Sequence, residues 1–372
     1  MFPPQMASVF IRWLTEPEDA VYDPFSGRGT VPFEAVLQGR RGFGVDANPL
    51  AHALTRAKVK IPSAAAVAER LDDLEAQYKD LPPIPTDRVP DNIRMLYSLR
   101  TLEQLCFLRD QLSGRGYADP FIVALVLGML HANHSGAGAT RGFSISMPNT
   151  FAMAPGYVRK YIRDHGLEAP DVDVFEMLRA RALLYDLPAK AVIGGRSWLS
   201  SAAGSAPDEL CRAKPKLVFT SPPYLQVIKY GKYNWVRLWF LKQDPRSVDR
   251  KLMASSSLPR YLSFMKEVLE GIRAVLDRDG YACLVIGDVR RGEDQLNLAD
   301  QVWRQVAKPA GWHHHGTVED TLPSGVKVSR IWKDNPGRAT KTDRLLILSP
   351  RRRTLPELPA IDWSCTPELQ TQ

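Results

Sequence analysis

Cysteine is scarce. The four in 372 residues, Cys106, Cys211, Cys283 and Cys365, include no Cys-x-x-Cys pair. That scatter argues against a zinc site, a disulfide framework and a secreted protein. Long apolar runs are missing too, and none approaches the roughly 20 residues that cross a bilayer. The opening Met1-Phe2-Pro3-Pro4 has no signal-peptide pattern, and there are no internal repeats. These absences predict a soluble protein of a reducing, cytoplasmic compartment, with no metal and no membrane partner.

A chain of this length makes two domains, or one large α/β domain carrying an insertion. Hydrophobic (44%) and charged (24%) contents are those of a globular protein. Net charge is +8, and it is clustered. Leu225 to Lys251 is net +5, Lys327 to Arg353 is net +7 and Gly136 to His165 is net +3, so the rest of the chain is net acidic. Clustered positive charge suits a polyphosphate partner through counterion release. The bland alternative is solvated surface with a basic run at Arg351-Arg352-Arg353.

Near the N-terminus a helical pattern over residues 4 to 14 precedes a short strand, Ala20-Val21-Tyr22-Asp23. Pro24-Phe25-Ser26-Gly27-Arg28-Gly29-Thr30 follows, then a helical run from Val31 to Gln38 and a second strand, Arg41 to Asp46. Strand, glycine-rich turn, helix, strand and terminal carboxylate make a βαβ start. Gly27 and Gly29 permit positive φ and close approach of a ligand to the backbone. The helix behind them aims unpaired N–H groups and its positive end at that ligand. Asp46 can accept from both hydroxyls of a ribose. A dinucleotide site would want a third glycine where Pro32 stands, which disfavours a nicotinamide dehydrogenase.

Far downstream, Lys216-Leu217-Val218-Phe219 reads as a buried strand running into Thr220-Ser221-Pro222-Pro223-Tyr224. Two prolines cannot donate and fix their own φ, so the chain leaves the sheet in a rigid turn. The turn presents a hydroxyl (Ser221), a carbonyl (Pro222) and a ring (Tyr224), a set that suits a flat base with an exocyclic amine. The bland alternative is a Pro-Pro loop with a packing tyrosine.

Between these loops the pattern changes to helix after helix from about Ile61 to Pro188: Ala64 to Tyr78, Ile93 to Leu112, Pro120 to His134 and Pro155 to Asp164. Tyr157, Arg159, Lys160, Tyr161 and Arg163 interleave aromatic and basic character, as a nucleic-acid strand requires. The segment from His134 to Arg163 is therefore a candidate for substrate contact, with Arg141, Arg159 and Lys160 its candidate residues. Lys190 to Gly195 reads as a third strand. Tyr230 to Leu241 is aromatic and amphipathic; Trp235 and Trp239 suit a core, while Lys229, Lys232 and Tyr233 are further substrate candidates. Arg260 to Leu276 and Leu296 to Pro309 read as helices, Tyr281 to Asp288 as a strand, and Gly311 to Val318 with Arg344 to Leu348 as an antiparallel pair.

Asp-Pro-Phe-x-Gly-x-Gly, the strand-end Asp46-Ala47-Asn48-Pro49 and the downstream Ser-Pro-Pro-Tyr together resemble the amino-group DNA methyltransferases, most nearly the cytosine-N4 enzymes. The resemblance covers roughly residues 1 to 60 and 188 to 350. It implies a Rossmann-like, seven-stranded α/β sheet with a large, mostly helical insertion. It divides the chain into a discontinuous catalytic domain (1–60 and 189–350), the insertion 61–188 as candidate target-recognition region, and a tail from 351, a strap or a disordered end. It implies S-adenosyl-L-methionine as cofactor, held by Asp23, Pro24, Phe25, Ser26, Gly27, Gly29, Thr30, Asp46, Ala47 and Asn48. Ser221, Pro222, Pro223 and Tyr224 become the catalytic loop, and Phe2-Pro3-Pro4 the segment packed near the methionine carboxylate. In the family an acidic residue after the third strand contacts the adenine amine; Gly194-Gly195-Arg196 departs from that and leaves the contact unassigned.

The implied activity is site-specific methylation of a flipped base in double-stranded DNA, at cytosine N4, within a restriction-modification or defence system on the nucleoid. Adenine N6 is the close alternative, and an RNA methyltransferase or a non-catalytic nucleic-acid-binding subunit stands further off. The lack of a Pro-Cys pair argues against carbon-5 methylation.

Overall fold

Alternation along short strands builds the sheet. In β1 (Ala20–Asp23), Ala20 and Tyr22 turn to one face and Val21 to the other. The same split recurs in β4 (Leu217–Thr220), in β5 (Tyr281–Arg291) and in β7 (Ala339–Ser349), where Leu346 and Leu348 oppose Leu345 and Ile347. With β2 (Arg41–Asp46), β3 (Gly195–Leu199) and β6 (His313–Thr321), the spatial order is β3-β2-β1-β4-β5-β7-β6. The first five run parallel, and β7 is antiparallel to both its neighbours. A short strand, Asp294–Leu296, hairpins onto β5. This is the Rossmann-like, seven-stranded arrangement that the resemblance implied.

The structure is a computed structural model, and it describes residues 2–112, 116–133, 141–147, 153–185, 187–190, 192–223, 225, 229–253, 255–291, 294–321 and 339–357. Helices cover both faces of the sheet. On one lie α1 (Pro4–Leu14) and α2 (Thr30–Leu37), burying Ala7, Phe10, Ile11, Val31 and Ala35 against Val21, Phe219 and Cys283. On the other lie α3 (Asp208–Ala213), α4 (Leu258–Val275) and α5 (Leu298–Val302). In α4, Tyr261, Met265, Val268, Leu269, Ile272 and Val275 form the helical stripe that meets the sheet. The stretch after β7 returns to the first face, where Tyr281 donates to the Thr354 carbonyl and Trp13 to that of Pro356. That is a strap as far as residue 357.

The third strand differs from the reading over Lys190 to Gly195. Val192–Ile193 forms only a two-residue pair with Lys60–Ile61, and the sheet strand begins at Gly195 and ends at Leu199. Steric room explains the start. A Cβ on Gly195 would lie 1.8 Å from the Gly42 carbonyl oxygen, so only glycine lets β3 reach β2 there.

The chain divides into two units. The sheet unit is Met1–Ala47, Gly194–Ile228 and the segment opening at Met253; the helical unit is Asn48–Ile193 with Lys229–Leu252. The division thus falls earlier than residue 60, and it assigns the aromatic stretch 229–252 to the helices. Within the helical unit, Leu71, Leu74, Leu105, Leu108, Ile122, Val126, Phe143 and Phe175 make one core, joined by Trp235, Val236 and Phe240. The run expected as one helix over Ile93 to Leu112 is two: Asp91–Arg94, then Leu99–Gln111, whose entry Ser98 caps by accepting from the Thr101 N–H. The aromatic stretch Tyr230 to Leu241 forms two short helices, Tyr230–Tyr233 and Trp235–Phe240, on either side of Asn234. No helix among the described residues is long and apolar enough to cross a membrane.

Candidate active site at the strand ends

Strand order reverses between β1 and β4: the chain steps one way to β2 and β3, the other way to β4 and β5. At such a switch point the carboxyl ends of two neighbouring strands open a crevice, and ligands bind there. The loops after β1 and β4 are the two that carry the motifs, so parallel pairing of Val21 with Leu217 and Tyr22 with Val218 puts both at the same sheet edge.

A direct bond ties them. Thr220 Oγ1 donates to Asp23 Oδ1 at 2.5 Å, and the Phe25 N–H donates to the same oxygen at 3.0 Å. Asp23 is only 3% exposed. Burial pushes its carboxyl up to about 7, the charge of Asp46 pushes the same way, and the bonds from Thr220 and Phe25 oppose both. Asp23 thus pins the two loops together rather than lying open in the crevice. Thr220 was not among the residues expected to matter; its only sequence signal is its place between a buried strand and Ser221.

The rest of the first loop closes around backbone. Gly27 (φ +50°) and Gly29 (φ +76°) both adopt the left-handed region that side chains disfavour. The Ser26 N–H donates to the Val45 carbonyl at 3.0 Å, and the Gly27 N–H to Asp46 Oδ2 at 2.9 Å. Asp46 therefore sits beside the turn, its carboxylate at the end of β2. Gly29 is the N-cap of α2 and has no side chain with which to cap it. Pro24 and Ser26 are buried, Thr30 and Ala47 half-buried. Phe25 turns its ring to Phe264 of α4, with centroids 5.8 Å apart. Asn48 caps the Pro49–Val59 helix by accepting from the Leu50 N–H at 3.1 Å.

On the Ser-Pro-Pro loop, Pro222 is buried while Ser221 and Pro223 are half-buried. Tyr224 lies outside the described residues, and Leu225 is back in the core. Phe2 packs edge-on against Phe219 of β4, with centroids 5.2 Å apart, which sets the N-terminal segment beside the strand that feeds this loop. With β3 ending at Leu199, the residue that follows it is Ser200 rather than Gly194 to Arg196. Its N–H donates to the Asp46 carbonyl at 3.1 Å, and Ser200 to Ala202 with Gly204 to Pro207 line a small cleft alongside Tyr22, Val45 and Gly271.

The substrate candidates all belong to the helical unit. Lys229, Lys232, Arg141, Arg159 and Lys160 are exposed; Tyr233 is half-buried with the Lys232 ammonium 5.8 Å from its ring. Trp235 is core, as expected, and its indole donates to the Met153 carbonyl. Trp239 is half-buried with the Arg109 guanidinium 5.2 Å from its ring. Positions 134–140 and 148–152 of the candidate segment lie outside the described residues.

Residues 1–56 match the family described as DNA methylase, of the N6/N4 type. A type II methyltransferase of Kocuria varians, M.MvaI, is 30% identical over 84 residues, 22% of this chain and 18% of that protein. Solved structures similar to this one include TrmN from Thermus thermophilus (11% identity, TM-score 0.35, 94% of this chain and 49% of that one). An rRNA methylase from Streptococcus thermophilus is 9% identical with a TM-score of 0.34, over 94% of this chain and 97% of that one. The cofactor that goes with this fold and family match is S-adenosyl-L-methionine. The loop fits it: two left-handed glycines bare the backbone, the uncapped start of α2 faces the same turn, and a carboxylate stands at the end of β2.

Proposed function

We propose that this protein is a DNA methyltransferase that modifies the exocyclic amine of a base, cytosine N4 first and adenine N6 as the alternative. The observation that carries the reading is the bond from Thr220 to Asp23, because it holds the glycine turn and the Ser-Pro-Pro loop at one edge of the sheet. When bound, S-adenosylmethionine supplies an electrophilic methyl group on a sulfonium. The chain's own part is positioning and electrostatics. Gly27, Gly29 and the first turn of α2 hold the donor through backbone amides, and Asp46 accepts from its ribose hydroxyls.

An amine conjugated to a pyrimidine or purine ring is a poor nucleophile. Ser221 Oγ and the Pro222 carbonyl accept its two hydrogens and favour a more tetrahedral, electron-rich nitrogen. Tyr224 stacks on the base. Holding donor and acceptor in line supplies much of the acceleration, and no covalent intermediate on the enzyme is needed. In a duplex the amine is paired, so the base leaves the stack first, at a few kcal/mol. The basic stretches of the helical unit offset that cost by holding phosphates, which makes that unit the target-recognition region.

The test is nucleoside mass spectrometry of unmethylated DNA after incubation with the protein and S-adenosylmethionine. N4-methylcytosine is the expected product. N6-methyladenine alone refutes the cytosine assignment, and carbon-5 methylation or no product refutes the reading as a whole. A restriction or defence role predicts that the modification falls in one short sequence, which sequencing at single-base resolution would reveal.

A further inference from the structure

The Pro155–Asp164 helix meets the helical core along a narrow stripe. Only Val158 is fully buried, with Tyr161 and Ile162 packed partly against the same cluster. The rest of its surface is aromatic and basic. Tyr157, Tyr161 and His165 follow one another at i, i+4 and i+8 and form a row on one face. Tyr157 is 46% exposed. The Tyr161 and His165 rings stack at 4.0 Å and 28°, helped by a 2.9 Å hydrogen bond between His165 Nδ1 and the Tyr161 carbonyl. Tyr157 and Tyr161 are near-parallel too, at 19°, but their centroids are 6.3 Å apart.

Tyr157 therefore stands further from Tyr161 than His165 does, with its own ring turned partly to solvent. Lys160 stands beside the row, at i+3 from Tyr157, and Arg159 and Arg163 make the adjoining i, i+4 pair; all three are exposed. Arg163 approaches Asp164 at 3.4 Å, while among the described residues neither Arg159 nor Lys160 closes an ion pair. Rings that stack on any base, flanked by cations at phosphate reach, are the composition of a single-strand track.

We infer that this helix face binds unpaired nucleic acid, stacking a base on the exposed ring of Tyr157 with phosphates on Arg159 and Lys160. The inference rests on the substrate of the proposed reaction being a nucleic acid. It adds that the protein grips a strand opened from its partner, apart from the base that enters the sheet unit's crevice. An acidic polypeptide is the competing occupant, drawn by the same charges and indifferent to stacking geometry.

The experiment uses the full chain and a fluorescein-labelled single-stranded 12-mer, read by anisotropy, with a second oligonucleotide carrying 2-aminopurine to report stacking. The wild type should bind the strand and quench the 2-aminopurine. Tyr157→Ala should weaken binding on the order of tenfold and relieve the quench without changing the salt slope, while Tyr157→Phe restores both. Lys160→Ala should keep the quench and lower the slope of log K against log salt by about 0.7, the value of one phosphate on a single strand. Tyr157 is exposed, so its loss leaves the core untouched, and circular dichroism checks this. Unchanged affinity and quench in Tyr157→Ala overturn the inference, as does displacement of the strand by polyglutamate at equal charge. The two readings fail separately. Methylated product with a Tyr157-independent quench sinks the track alone; a Tyr157-dependent quench with no methylated nucleoside sinks the methyl transfer alone.

Discussion

Asp23 gives the sheet unit a titration of its own. Its carboxyl is buried, and desolvation with the nearby charge of Asp46 outweighs the two hydrogen bonds that favour ionisation, lifting it from 3.8 to about 7. In the unfolded chain it ionises as an ordinary aspartate. The group's folded value is therefore the higher one. Its contribution is fully present below about pH 4, falls as pH rises while only the unfolded state is ionised, and is gone above about pH 7. A shift of about three units at about 1.4 kcal/mol each makes that loss ~4 kcal/mol, and relaxation around the buried group reduces it to as little as about half. Asparagine at this position keeps Oδ1 as acceptor for the Thr220 hydroxyl and the Phe25 N–H, but has no charge to desolvate. Asp23→Asn should then match or trail the wild type at pH 5 and exceed it at pH 8, the difference growing by roughly 1 to 3 kcal/mol between them, since part of the loss has already occurred by pH 5. Urea denaturation of both proteins across pH 5 to 8 reads this, since titrating groups remote from Asp23 cancel in the difference. A difference that stays flat with pH would refute a buried, proton-holding Asp23.

Thr220→Val removes the donor from that carboxylate while keeping the side-chain shape, so it should cost about 1–2 kcal/mol and steepen the pH dependence; thermal melts at pH 6 and 8 check both. Asp46→Ala should weaken S-adenosylmethionine binding on the order of tenfold or more in calorimetry while sparing DNA affinity, and the reverse pattern would show that Asp46 is misassigned. Gly42→Ala forces a Cβ to 2.1 Å from the Pro32 carbonyl oxygen, where helix α2 crosses β2. It should cost about 1–3 kcal/mol by overpacking, lowering the melting temperature, and a neutral result would show that α2 can lift off the strand.

Local chemistry made much of this legible. Short continuous apolar runs in Ala20 to Asp23 and Lys216 to Phe219 declare buried strands, and Gly27 and Gly29 declare a left-handed turn because other residues are disfavoured at φ of +50° and +76°. The terminal antiparallel pair was equally plain, although β6 and β7 run longer than their apolar centres suggest. What failed did so where pattern and pairing disagree. Val192 and Ile193 look more like a strand than Gly-Arg-Ser-Trp-Leu, yet among the described residues β3 is an edge strand paired with β2 alone, and an edge can leave Arg196 and Leu199 exposed. Its position is decided by what fits beside Gly42, a steric fact about residues 153 positions away. Thr220 is the same case in sharper form. As one threonine among many it carries no signal, and its meaning comes only from lying 197 positions from a carboxylate that parallel pairing of β1 with β4 places 2.5 Å away. Asp46, read only as a ribose acceptor, likewise also braces the Gly27 amide. A motif therefore names the groups that could touch a ligand, whereas the groups that hold the motifs in register are chosen by the sheet. Substitutions at the second kind should change stability and its pH dependence before they change the chemistry.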